Sequence, residues 1–281
     1  MNPSIPPFKI PLGPIEVTGY GLMMMVGFLM AGWLIDRDLR RRGLNADYAA
    51  DMTVAAVIGG IIGAKLWWVA LTGEWSALFS RSGLVWYGGF IGGTLAVIIN
   101  GWRLKVPTRW TAQFVAPALA AAYPLGRIGC FMVGDDYGIP TTVPWGVKFP
   151  QGMPPTTASG LAQFGVTVPE GIDPTAVLAV HPTQLYEIAL MTLAFMVLWK
   201  LRTRVGGAGW LFGLYLIFAG TERFLIEFLR AKDDRLLGAF TVAQATSVGL
   251  ILVGAFIVQQ LRTRPDPDLG PHLSRPTRAS A

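Results

Sequence analysis

Charge is scarce in this chain and cysteine is nearly absent. Only 14% of its 281 residues are charged, well below the usual quarter for a soluble domain. The single cysteine, Cys130, excludes an internal disulfide and leaves the redox compartment open. The period-2 alternation of barrel strands is missing, which excludes an outer-membrane barrel. No internal repeat stands out, which argues against an inverted-repeat transporter. The first 16 residues lack a basic start and a small-residue cleavage site, so a cleavable signal peptide is not expected. Basic residues exceed acidic ones by 23 to 17. They are spread over several loops, not gathered on the one face a nucleic-acid partner would need.

What the chain does have is apolar length. Hydrophobic residues make up 52%, concentrated in runs near the roughly 20 residues that cross a bilayer as a helix. Seven such runs are expected at about 17–36, 48–71, 84–100, 111–132, 183–200, 209–229 and 240–261. Lipid offers no partner to open backbone groups, so these runs must be helical. The fold class is an all-α polytopic membrane protein of about seven transmembrane helices. One bundle over 1–261 includes an extended external loop or head at 133–182, and a polar, proline- and arginine-rich tail at 262–281 is expected to be disordered. Arginine and lysine set the orientation. One side carries Arg37, Arg40, Arg41, Arg42, Arg103, Lys105, Arg109, Lys200, Arg202, Arg204, Arg262, Arg264, Arg275 and Arg278. The other carries only Lys9, Arg81, Lys148, Arg230, Lys232 and Arg235. The positive-inside bias therefore predicts an external (periplasmic) N-terminus and a cytoplasmic C-terminus. In the loop, VPWGVKFP is expected to be ordered and QGMPPTTASG mobile. Gly59 and Gly63, and Gly88 and Gly92, have the spacing that lets helix backbones touch in lipid.

Against this background a few charges stand out. A charge at a helix centre costs about 2.5–3.5 kcal/mol on insertion scales, so such residues turn inward and usually have a task. The candidates are Lys65, Arg127, Glu187, Glu222, Arg223 and Glu227. Arg223 and Glu227 are four apart and Arg230 three further, a plus-minus-plus series on one helix face. Arg127 and Arg223 come from different spans. Two converging guanidiniums repel unless an anion lies between them, and their forks suit a phosphate. An anionic lipid headgroup is the expected ligand. Tyr20 and Tyr87 open their spans and fit either an aromatic belt or the site. Asp135 and Asp136 could suggest a metal, but no second acidic motif joins them. His181 fits a loop contact better than a base.

The motifs GRIGCFMVGDDYG, PWGVKFP, HPTQLYE and RFLIEFLR, in that order in a chain with seven expected spans, resemble the bacterial prolipoprotein diacylglyceryl transferase family. The resemblance runs from about Tyr20 to Gln244. It implies a multi-pass enzyme of the bacterial inner membrane, working without metal or soluble cofactor. Its donor would be phosphatidylglycerol and its acceptor the lipobox cysteine thiol of a preprolipoprotein, with glycerol phosphate released. Carried over position by position, Arg127 and Arg223 match the family's two essential arginines. Tyr20, Gly138, Glu187 and Glu227 match positions in or around the site, and Arg230 a basic residue near it.

The chain departs from the family pattern at four points. Cys130 and Val133 replace two asparagines, Asp135 replaces a glutamate, and Tyr87 stands where the family has the histidine proposed as base. The expected mechanism has Arg127 and Arg223 clamping the lipid phosphate. Asp135, Glu187, Glu227 or a shifted Tyr87 would take the thiol proton, with Glu227 placed first as the residue orienting Arg223. Two other readings stay open at this point: the same donor with another acceptor, and a non-catalytic protein that binds or transports anionic lipid.

Overall fold

The computed structural model describes residues 3–12, 15–79, 84–163, 165–168, 171–203, 206–231, 235–237, 240–275 and 277. The chain begins with an antiparallel pair, β1 (Lys9–Leu12) and β2 (Ile15–Thr18). Four helices follow: α1 (Gly19–Arg41), α2 (Asp47–Thr72), α3 (Trp86–Arg103) and α4 (Thr108–Val133). After a loop holding the short α5 (Ala158–Gln163) come α6 (Thr183–Leu201) and α7 (Trp210–Glu227). A two-stranded pair, β3 (Arg235–Leu237) and β4 (Phe240–Thr241), leads into α8 (Val242–Leu261) and a last turn, α9 (Gly270–Leu273). Every expected apolar run coincides with one of the long helices. Five of these, α1, α2, α4, α6 and α8, are long and apolar enough to cross a membrane. α3 and α7 have 18 residues each, and α7 carries Glu222, Arg223 and Glu227. The molecule is a mostly helical, polytopic membrane protein.

Local chemistry sets the helix ends. Asn45 accepts from the Asp47 amide at 3.1 Å, and Asp47 puts a negative charge at the positive end of α2. At the other end Gly73, with φ 73°, turns the chain out and returns its amide to Val69 at 2.8 Å. Lys65, buried within α2, donates from Nζ to the Ala77 carbonyl at 2.9 Å, fastening the helical turn Trp75–Phe79 to the helix. Pro182 flanks α6 as its cap, immediately before Thr183.

The chain divides into two compact units. One comprises Met1–Gly27, Leu119–Arg204 and Phe212–Gln260, the other Phe28–Ala118, Val205–Leu211 and Leu261–Ala281. In the second, α2 and α3 meet backbone to backbone. A Cβ on Gly63 would lie 2.3 Å from the Gly88 carbonyl, and one on Gly92 2.4 Å from that of Gly59. The glycine spacing is thus used as the sequence suggests.

Within the tail, residues 262–275 and 277 are described, and several of them make contacts inside the second unit. Pro265 and Pro267 offer their carbonyls to Arg109 and Trp110 at 3.0 Å each, and Asp266 accepts from the Ala208 amide at 2.5 Å. Asn45 donates to the His272 carbonyl at 3.2 Å, and Leu273 is fully buried beside Tyr48 and Phe114. Prolines remove backbone donors, but these carbonyls still find side-chain partners in the same unit. Leu273→Ala should therefore cost about 2–5 kcal/mol, visible as a lower unfolding midpoint in detergent.

In the first unit the loop after α4 builds a small core of its own. Phe149, Leu161 and Val180 are fully buried with Val147 and Tyr137. Ile5 donates to Lys148 at 3.0 Å and Lys148 to Pro3 at 2.9 Å, tying the N-terminal segment to VPWGVKFP. QGMPPTTASG, expected to be mobile, is held instead. Thr156 Oγ1 accepts from the Phe149 amide at 3.1 Å, and Met153 donates to Gly134 at 2.9 Å.

Candidate functional site

The site is assembled within the first unit, around the C-terminal end of α4. Glycine makes the first approach possible. A Cβ on Gly129 would lie 2.9 Å from the Tyr20 Cα, so the start of α1 rests directly on α4. Tyr20 thereby comes within electrostatic reach of Arg127, Asp135 and Asp136. α4 ends at Gly134, whose φ of 70° reverses the chain while its amide returns to Cys130 at 2.9 Å. Asp136 follows with φ 56°, a region that Asp tolerates better than most residues.

HPTQLYE fixes this turn from the side. Thr183 Oγ1 donates to the Asp136 carbonyl at 2.8 Å and Gln184 Nε2 to the Asp135 carbonyl at 2.5 Å, both side chains being fully buried. Gly138 completes the weave. Its amide donates to His181 at 2.9 Å, and the next amide, of Ile139, donates to Leu229 at 2.8 Å. A Cβ there would fall 2.3 Å from the Leu229 carbonyl. Gly138→Ala should thus act as overpacking, costing about 1–3 kcal/mol and loosening the Gly138–Arg230 bridge. A thermal shift assay and amide exchange at 138–140 and 229–231 would register it.

The side chains form an alternating ladder of charge. Arg223 Nη2 pairs with Glu227 at 2.6 Å, and Glu227 lies 4.0 Å from Arg230 Nε. Arg230 Nη2 donates to Asp136 Oδ1 at 2.7 Å, and Asp136 Oδ2 accepts from Arg127 Nη1 at 2.8 Å. Arg127 Nε closes the series on Glu187 at 2.9 Å. α7 stops at Glu227, so Arg230 reaches Asp136 from the turn beyond the helix and not from its face. Arg223 Nη1 is buried with no hydrogen-bond partner among the described residues. The charges of Arg127, Arg230 and Arg223 all bear on Glu187, so the three guanidiniums share one field.

Sequence reasoning missed several members. Tyr123 accepts at its hydroxyl from Arg127 Nε and Nη2 at 3.2 and 3.1 Å, and donates to buried Glu222 at 3.4 Å. Its ring also lies 5.1 Å beneath the Arg127 guanidinium. Thr183 and Gln184 were the others, flagged only by their place in a quoted motif, and in the sequence Asp136 suggests only a metal ligand. Cys130 is buried with Sγ 3.8 Å from Arg127 Nη1. His181 makes a loop contact, its Nδ1 3.2 Å from the Tyr186 hydroxyl. Tyr87 belongs to the second unit. It is 64% exposed on the first turn of α3, edge-on to Trp86.

The two aspartates differ in acidity. Burial, then the neighbouring Asp136 charge, pushes the Asp135 carboxyl up to about 6. Burial would raise Asp136 as well, but Arg230 and Arg127, by charge and by hydrogen bond, more than offset it and hold Asp136 below the ordinary range. Asp135, Asp136 and Cys130 place one ligand atom each within 4.8 Å of one another. Both Asp136 oxygens are already engaged by arginine, so this trio does not fit a cation well. The arrangement suits an anion: arginines backed by carboxylates, with Arg223 keeping a spare donor.

The family model of prolipoprotein diacylglyceryl transferases matches residues 7–259. Among similar proteins is the phosphatidylglycerol–prolipoprotein diacylglyceryl transferase of Clostridium tetani, 32% identical over 89% of this chain and 96% of the relative. Proteins of the same name from Geobacter sulfurreducens and Vibrio cholerae are 34% and 33% identical, covering 90% and 91% of this chain and 94% and 91% of theirs. The chain belongs to the prolipoprotein diacylglyceryl transferase family.

Proposed function

We propose that this chain transfers the diacylglyceryl group of phosphatidylglycerol to the lipobox cysteine thiol of a prolipoprotein, releasing glycerol phosphate. The observation that carries the reading is the ladder Arg223–Glu227–Arg230–Asp136–Arg127–Glu187. It gathers three arginines near four helix ends that meet around Gly129 and Gly138: the starts of α1 and α6 and the closes of α4 and α7. Membrane placement follows the charge bias, with seven spans, the N-terminus and residues 133–182 outside, and the C-terminus inside.

Arg127 and Arg223 hold the lipid phosphate, with Tyr20, Gly138, Glu187 and Arg230 shaping the site around it. Glu227 orients Arg223 through their 2.6 Å contact. The acceptor S–H gives its proton to Asp135. Its thiolate attacks the glyceryl carbon, the C–O bond to phosphate breaks, and the electron pair leaves on glycerol phosphate, where the guanidiniums stabilise it. Asp135 suits this role best. Glu187 and Glu227 are buried against Arg127 and Arg223 at 2.9 and 2.6 Å, whereas Asp135 is only half-buried.

The test is direct. Purified protein in nanodiscs with headgroup-labelled phosphatidylglycerol should release labelled glycerol phosphate only when a lipobox peptide is added. Release driven by another thiol instead would replace the acceptor, and no release with any acceptor would remove the transferase reading.

A further inference from the structure

The carboxylate of Asp136 has no place in the reaction just described, and the family pattern leaves its position open. Yet it occupies the middle of the arginine group. Each of its oxygens takes a donor from a different guanidinium, Oδ2 from Arg127 Nη1 at 2.8 Å and Oδ1 from Arg230 Nη2 at 2.7 Å. That is the two-point bridge by which a phosphate would join the same pair. On the other edge of Arg127, Nε and Nη2 both donate to the Tyr123 hydroxyl, and Nε also faces Glu187. A phosphate approaching Arg127 at Nη1 therefore meets Asp136.

Asp136 is also built to move. Its side chain is 38% exposed, against 16% for Arg127 and 14% for Arg230, so the carboxylate lies on the open side of the pair. Its backbone is anchored independently, through the bond from Thr183 to its carbonyl. Rotation about the side chain alone would free both guanidiniums without disturbing the turn.

We propose that Asp136 is an internal competitor for the lipid phosphate: it occupies Arg127 and Arg230 when no lipid is bound, yields to phosphatidylglycerol, and returns to expel glycerol phosphate. The proposal rests on the reading of Arg127 as a phosphate ligand. The resident carboxylate keeps two guanidiniums from repelling each other in the empty enzyme. It also sets a threshold, since binding exchanges one anion for another. A lipid brings acyl chains whose burial adds to its hold, whereas a water-soluble phosphate has only its charge. After the C–O bond breaks, the leaving group gains negative charge and would cling harder to arginine. It has by then lost its chains, and the tethered carboxylate can displace it.

Asp136→Asn keeps the shape and removes the charge. Its inhibition constants for glycerol phosphate and for inorganic phosphate should fall by about tenfold, roughly one charge-assisted hydrogen bond. KM for phosphatidylglycerol should fall as well, and glycerol phosphate should raise the unfolding midpoint more in the variant than in the unaltered protein. Asp136→Ala, read by the same thermal shift, serves if the asparagine variant is inactive. Arg127→Ala is run in parallel. If phosphate inhibition survives Arg127→Ala undiminished, the phosphate-ligand reading itself fails. If inhibition depends on Arg127 but neither aspartate variant tightens it, or KM rises, the competitor proposal alone is overturned and Asp136 is a positioning residue.

Discussion

Arg127→Ala should lower transfer to a lipobox peptide by about 10²–10³, the usual loss when one preorganised donor to a developing anion is removed. Arg127→Lys should recover little of it. Arg127 works as a branched donor, with Nε and Nη2 on Tyr123 and Nη1 facing Asp136. A lysine ammonium can meet only one of these directions at a time. Removing the guanidinium also strands Glu187, which is fully buried. An uncompensated buried charge costs about 3–5 kcal/mol, so lost activity could reflect lost fold. Arg127→Ala combined with Glu187→Gln separates the two. The pair should regain a normal unfolding midpoint and stay inactive. Recovered turnover in the double variant would mean that Arg127 serves stability and not the phosphate.

The parts of this ladder that sequence spacing exposes are those lying within one helix. Arg223 and Glu227 are four apart, and their 2.6 Å pair follows from helix geometry. The long helices were legible for the same reason, because an apolar run of fixed length has few other fates in lipid. Asp136 was not legible. Its contacts depend on two positive-φ residues, Gly134 and Asp136, on either side of Asp135, that reverse the chain after α4, and no periodicity encodes that reversal. Tyr123 was hidden differently. In an apolar run a tyrosine counts as filler, and only the meeting of α4 with Glu222 of α7 shows that its hydroxyl is spoken for. In the tail, composition registers prolines and charges but not that Leu273 and the carbonyls of Pro265 and Pro267 find partners far away in sequence. Cys130 and Tyr87 mark where motif matching thins out. Without the family histidine, the acids Asp135, Glu187 and Glu227 are the remaining candidates for the base, and they differ in burial and ion pairing.

That distinction has a pH signature. Below about 6 the Asp135 carboxyl holds its proton and cannot accept another. The kcat/KM of the unaltered enzyme should therefore climb about tenfold per pH unit up to that point, then level off. Near pH 8.5 the acceptor thiol begins to ionise unaided. Asp135→Asn should erase the limb near 6 and cut the neutral-pH rate by about 10²–10⁴. Its deficit should shrink towards pH 9, where the peptide arrives as thiolate and needs no base. His181 is also ionisable, with its pKa lowered from the ordinary value by burial, so His181→Asn is the control and should keep the limb. Stability moves the opposite way. An acid whose folded-state pKa is raised favours the native state only while protonated, so that contribution fades as pH rises from about 4 to about 6. Asp135→Asn should then be at least as stable as the unaltered protein at pH 7. A slow but fully folded variant, rescued by alkali, is what a proton acceptor predicts. A variant that unfolds, or one equally slow at every pH, would assign Asp135 to the architecture of the turn instead.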